Sequence, residues 1–201
     1  PCLGDENGSD CLYIADTGDN SARRNRGTIY IVPEPVVPTA TVDEEIRTER
    51  AHELRVRYPD GPRDIEALAV TPEGDVLLVT KGTRGPIVLY EVPADKTDEK
   101  SARATLVDTL PIRPARRFGN LVTAAAVSPS GRLLVVRTYT QLHFFSSDGD
   151  GKWSRQGRPC WIGLRQPQGE AVDFLDEASV VLTSESAMGR KGGLARAACP
   201  I

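Results

Sequence analysis

Apolar positions along this chain fall in short runs cut by Pro/Gly turns, and three stretches repeat one unit. Ile65–Val70 is an apolar run, Thr71-Pro72-Glu73-Gly74 a turn, and Val76–Thr80 a second apolar run. Val122–Val127, Ser128-Pro129-Ser130-Gly131 and Leu133–Arg137 repeat the pattern. Gln168–Thr183 repeats it again with a different turn. A strand-turn-strand unit recurring every ~40–60 residues predicts the blades of a β-propeller, an all-β fold. Alanines crowd the first run of each unit (Ala67, Ala69, Ala124, Ala125, Ala126, Ala171), as inner strands around a narrow channel require.

The remaining runs fill in the blades. In the first unit they are Cys11–Ala15, Thr28–Val32 and Glu53–Tyr58; in the second, Ile87–Val92 and Ala104–Asp108. Thr140–Phe145 is the third strand of the third unit, and Gly192–Ala197 serves the last. The division is a partial blade over 1–58, blades over 59–119 and 120–165, and a partial blade over 166–201. Cys11–Ala15 ends in Asp16-Thr17-Gly18 where the second strand of the next unit ends in Thr80-Lys81-Gly82. It therefore reads as a second strand whose inner neighbour is absent. The expectation is a propeller of about five or six blades when complete, whose N-terminal blade or blades lie outside this chain. A missing N-terminal segment or another chain would complete the ring.

With 201 residues, 39% of them apolar, the chain can bury a core. A net charge of −3 gives no pull toward nucleic acid, and no apolar run reaches the ~20 residues of a membrane span. Cysteines stand at 2, 11, 160 and 199, and three pairings are open. Cys2 and Cys11 flank a hairpin-like loop, which favours Cys2–Cys11 and leaves Cys160–Cys199. Four unrelated thiols are the alternative. Disulfides would place the protein outside the cytosol, secreted or periplasmic.

Aligning the units puts Glu66, Thr123 and Glu170 level at the start of the inner strands, with Asp64 two residues earlier. Carboxylates converging on one channel mouth repel unless a cation or proton intervenes, and hard oxygen ligands favour Ca²⁺. Bonds to backbone N–H groups or to arginines are the plainer alternative. Asp16-Thr17-Gly18-Asp19-Asn20 is a dense oxygen cluster at a strand end, so Asp16, Asp19 and Asn20 join Glu66 and Glu170 as candidate calcium ligands. A tight turn wants the same residues. Asp64, Arg23, Arg24, Lys81, Thr123, Arg137 and Glu185 are candidate rim residues. Asp148-Gly149-Asp150-Gly151 reads as a hairpin turn and His143 as an outer-strand residue. Neither a Gly-x-Ser-x-Gly motif nor a Cys/His pairing points to a nucleophile.

Tyr13-Ile14-Ala15-Asp16-Thr17-Gly18-Asp19-Asn20, Tyr30-Ile31-Val32-Pro33-Glu34-Pro35, Asp64-Ile65-Glu66-Ala67-Leu68 and Gln168-Gly169-Glu170-Ala171 together resemble a group of secreted bacterial β-propellers. That resemblance implies the fold and a preceding blade; it brings no established reaction. More distantly the layout is similar to calcium-dependent propeller hydrolases of the phytase and gluconolactonase/paraoxonase kinds. These hold Ca²⁺ in the channel with acidic and amide residues, for which Glu66, Glu170, Asp16 and Asn20 are the counterparts; Thr123 departs from the pattern. The leading functional expectation is an extracytoplasmic binding module with a Ca²⁺-stabilised channel mouth. A Ca²⁺-dependent hydrolase of phosphoesters or lactones, with Glu66 or Glu170 as base, competes with it. A structural subunit of a larger assembly is the third.

Overall fold

A computed structural model of the chain describes residues 2, 10–36, 45, 47–113, 118–149, 151–163, 166, 168–187 and 189–200. The loop 4–9, Asp150 and much of 37–46 lie outside the described residues. Four antiparallel-built sheets follow one another along the chain as propeller blades. The first holds β1 (Cys11–Asp16), β2 (Arg26–Pro33) and β3 (His52–Arg57). The second holds β4 (Ile65–Val70), β5 (Val76–Thr80), β6 (Val88–Val92) and β8 (Thr105–Thr109). The third is β9 (Val122–Val127), β10 (Leu133–Thr138), β11 (Gln141–Ser147) and β12 (Trp153–Trp161). The fourth is β13 (Gly169–Asp176), β14 (Ser179–Ser184) and β15 (Gly193–Ala197).

Sheets covered on both faces need apolar residues at every strand position, and β5 is buried at all five of its residues. Its odd residues, Leu77 and Val79, pack with Leu134 and Val136 of the third blade. Its even residues, Val76 and Leu78, pack with Ile29, Leu54 and Val56 of the first. The end blades show alternation instead: Leu12 and Ile14 of β1 are 40% and 55% exposed, and Leu175 of β13 is 52% exposed.

The end of β1 meets the start of β4: the Thr17 hydroxyl donates to the Ile65 carbonyl, and the Asp19 N–H donates to Asp64. The two strands thus run in opposite senses beside the channel. β1 is the edge strand of its sheet.

One element departs from expectation. The segment between β6 and β8, which lies between two runs assigned to the second unit, does not stay with the second blade. It instead forms a 3₁₀ turn (Ala94–Lys96) and then β7 (Ser101–Arg103), which joins the first sheet parallel to β3. Thr97 anchors the turn: it is 1% exposed and its hydroxyl donates to the Ala94 carbonyl. The two disulfides, Cys2–Cys11 and Cys160–Cys199, form as expected. Among the described residues no helix is long and apolar enough to cross a membrane.

Candidate functional site at the channel mouth

Strand pairing fixes which residues of successive blades are equivalent. Val76, Leu134 and Val180 lie opposite the corresponding inner-strand residues Val70, Val127 and Phe174. Four residues back along the inner strands stand Glu66, Thr123 and Glu170, the trio expected from the repeat. Each sits at a break in register between its inner strand and the next. A bulge leaves one residue unpaired and re-aims its side chain, and such bulges gather beside functional sites. Three blades therefore repeat the same irregularity at the same place.

Five residues on from Val76, Leu134 and Val180 stand Lys81, Tyr139 and Glu185. Lys81 and Glu185 were expected at the rim; Tyr139 was not, and Arg137 was expected in its stead. The connection in the second blade spans residues 71–75, whereas that in the third spans 128–133. The extra residue shifts β10 by one, and in a strand a shift of one exchanges the two faces. Arg137 is therefore turned away from the rim and buried between blades, 0% exposed. Its Nη1 donates to the Ala171 and Thr183 carbonyls and its Nη2 donates to Gln166 Oε1 at 2.8 Å. Gly169 makes room for it, since a Cβ there would overlap the guanidinium. Burial holds the Arg137 pKa down at about 10, against the pull of Glu170.

At the mouth itself, Lys81 Nζ donates to Glu66 Oε1 at 3.0 Å and to Asn20 Oδ1 at 3.1 Å. The pair is partly sheltered, with side chains 15% and 27% exposed. Burial raises the Glu66 pKa, Lys81 opposes the rise, and the neighbouring Asp64 carboxyl reinforces it. Burial also raises that of Glu170, with the charges of Glu185 and Glu66 adding to it. Tyr139 is raised too, first by burial and then by Glu170. Glu66, Lys81, Tyr139, Glu170 and Glu185 thus lie within electrostatic reach of one another. Two buried oxygens nearby, Asp64 Oδ2 and Thr123 Oγ1, have no hydrogen-bond partner among the described residues.

The acidic loop is divided. Asp19 accepts the N–H groups of Ser21, Arg23 and Arg24, which fold the loop about its carboxylate. These bonds, Arg24's first, hold the Asp19 pKa below the usual range. Asp16 pairs with Arg24 at 3.3 Å on the exposed side, and Arg24 also donates to the Gly18 carbonyl. Arg23 contributes its backbone N–H and is exposed. Of this loop, Asn20 reaches the mouth. Among the described residues no group of three or more His, Cys, Asp and Glu lies close enough to hold a metal ion. Lys81 supplies the positive charge between Glu66 and Asn20.

No protein family's sequence profile matches the chain, and no curated protein does. Solved structures are similar in fold. The PQQ-bound aldose sugar dehydrogenase of Streptomyces coelicolor superposes with a TM-score of 0.52 at 10% identity, over 94% of this chain and 79% of that one. That likeness shows a shared β-propeller fold. Hsv2 of Kluyveromyces lactis gives a TM-score of 0.44 at 12% identity, over 88% of this chain; the chain spans 60% of Hsv2's length. The periplasmic gluconolactonase of Pseudomonas aeruginosa gives 0.39 at 12% identity, over 96% and 70%.

Proposed function

We propose that this chain is part of an extracytoplasmic β-propeller binding module, secreted or periplasmic, whose channel mouth receives a cationic group, with Ca²⁺ the first candidate. The observation that carries the reading is the repeated bulge that sets Glu66, Thr123 and Glu170 at one mouth, beside Asp64 and Glu185. Both shifted glutamates are raised by burial and by neighbouring carboxyls, so added positive charge is favoured there. The two disulfides support an oxidising compartment. The exposed apolar residues of the end blades support a neighbour that covers them, whether a further segment of the protein or another chain.

Lys81 already neutralises Glu66, so Ca²⁺ competes with that ammonium. Thermal unfolding in EDTA and then in excess Ca²⁺ tests the reading. Calcium is expected to raise the melting temperature by the equivalent of about 2.7 kcal/mol at a hundredfold excess over Kd. The shift should grow in Lys81→Met and vanish in Glu66→Gln and Glu170→Gln. No shift in either the wild type or Lys81→Met overturns it. A hydrolytic role draws support from Glu170, whose raised carboxyl suits a general base. It requires turnover of a phosphoester or lactone that Glu170→Gln abolishes while thermal stability is kept.

A further inference from the structure

Beside the mouth, a separate pocket of about 150 Å³ opens between the loop after β1 and the loop joining β5 to β6. Ala22, Arg63, Asp64, Thr83, Arg84 and Pro86 are among its walls, whereas Glu66, Tyr139, Glu170 and Glu185 are not. At about 30 Å³ for each water, it has room for roughly five, far below the size of a drug-like site.

The polar groups of this pocket are unevenly satisfied. Arg63 is spent: its Nε donates to the Tyr90 hydroxyl and its Nη2 to Asp60. Asp64 is only 8% exposed, and one carboxylate oxygen takes the Asp19 N–H. Among the described residues its second oxygen, Oδ2, has no hydrogen-bond partner, and neither has the buried hydroxyl of Thr83. A buried acceptor left unpaired is costly, so two in one pocket wall call for a donor. Arg84 lies exposed at the outer wall, with no salt bridge among the described residues.

An unsatisfied anion inside and an unpaired cation outside define the complement. We propose that this pocket binds a small zwitterion of the α-amino acid class. Its ammonium donates to Asp64 and Thr83, and its carboxylate meets the Arg84 guanidinium. The size of the pocket restricts the side chain to a hydrogen or a methyl group. A cation alone would leave Arg84 unmatched and bring like charge beside it; an anion alone would leave Asp64 unpaired and opposed.

The site shares Asp64 with the rim of the mouth but not Glu66, Lys81 or Glu170, and the test keeps the two apart. Glycine is titrated into the whole protein with amide chemical shifts and calorimetry as readouts, and methylammonium, acetate and glucose serve as controls. Glycine is expected to shift resonances of residues 82–85 and to bind at least tenfold more tightly than methylammonium or acetate. Arg84→Ala, at an exposed position, and Thr83→Val should each weaken glycine at least fivefold, and Asp64→Asn should abolish binding. Glu170→Gln, which removes the calcium shift at the mouth, should leave it unchanged. Glucose or methylammonium binding as tightly as glycine overturns the proposal, as does glycine binding unaffected by Arg84→Ala or no binding at all.

Discussion

Charged and polar groups lie in two unlike settings, the seams between blades and the mouth of the channel. In the seams, Arg137 and His143 are 0% and 4% exposed. At the mouth, Lys81, Glu66 and Glu170 keep partial contact with water. Arg137 is held by two main-chain carbonyls of the next blade and by the Gln166 side chain, so it fixes geometry and has little freedom to serve a ligand. Lys81 is held by two side chains, both of which can let go. The difference teaches that a propeller can use the same end of the same strand as a clamp in one blade and as a reactive rim in another. Which it becomes depends on a single residue in the turn below.

Removing the clamp should have the largest effect. Arg137→Met leaves the Ala171 and Thr183 carbonyls without their donor inside the seam and is expected to destabilise by about 3 kcal/mol or more in urea unfolding. Gly169→Ala should act in the same direction by pushing on the guanidinium. A loss below about 1 kcal/mol in Arg137→Met would mean that the seam tolerates two unbonded carbonyls and would erase the contrast.

His143 gives the seam a pH signature. Neither ring nitrogen has a partner, and burial, with Arg155 adding to it, lowers its pKa to about 4. Its folded pKa lies below the unfolded value near 6.5, so the unfolded chain binds the proton more readily. Stability therefore falls as pH drops below about 6.5 and the loss levels off below about 4, reaching roughly 3 kcal/mol. His143→Leu should flatten that part of the pH–stability curve without loss at pH 7. An unchanged curve would show that the imidazole finds a proton acceptor in solution.

The mouth should respond least and with the opposite sign. Glu170 has a raised pKa in the fold, so its ionisation opposes folding as pH rises through the carboxylate range. Glu170→Gln is expected to stabilise by up to about 1 kcal/mol at pH 7, a gain that disappears in acid. Calorimetric melts at pH 4 and pH 7 decide the matter. Destabilisation at pH 7 would mean that Glu170 is held by a bond its burial does not reveal.

Much of this was legible in the sequence for a physical reason. Inner strands need small residues and turns need Pro and Gly, so Glu66, Thr123 and Glu170 aligned on chemistry that packing forces to repeat. Cys2–Cys11 followed from its flanking loop and left Cys160 to pair with Cys199. What remained hidden depended on counting across a turn. Pro72 and Pro129 align well, yet the longer connection before β10 moves Tyr139 to the rim and Arg137 off it. That Asp19 gathers the Ser21, Arg23 and Arg24 N–H groups was hidden because loop-forming and cation-binding aspartates share one composition. Lys81 as the counter-ion, and β7 as a strand of the preceding sheet, rest on contacts between segments far apart in the chain.

β7 also sets an order of events. The outer edge of β3 would otherwise offer a row of unpaired backbone groups, a template for aggregation. Its cover arrives with Ser101–Arg103, after β4, β5 and β6 have emerged in sequence. The first sheet can therefore close its outer edge only with a strand that β4, β5 and β6 of the second blade precede along the chain, so the first blade is completed from within the second.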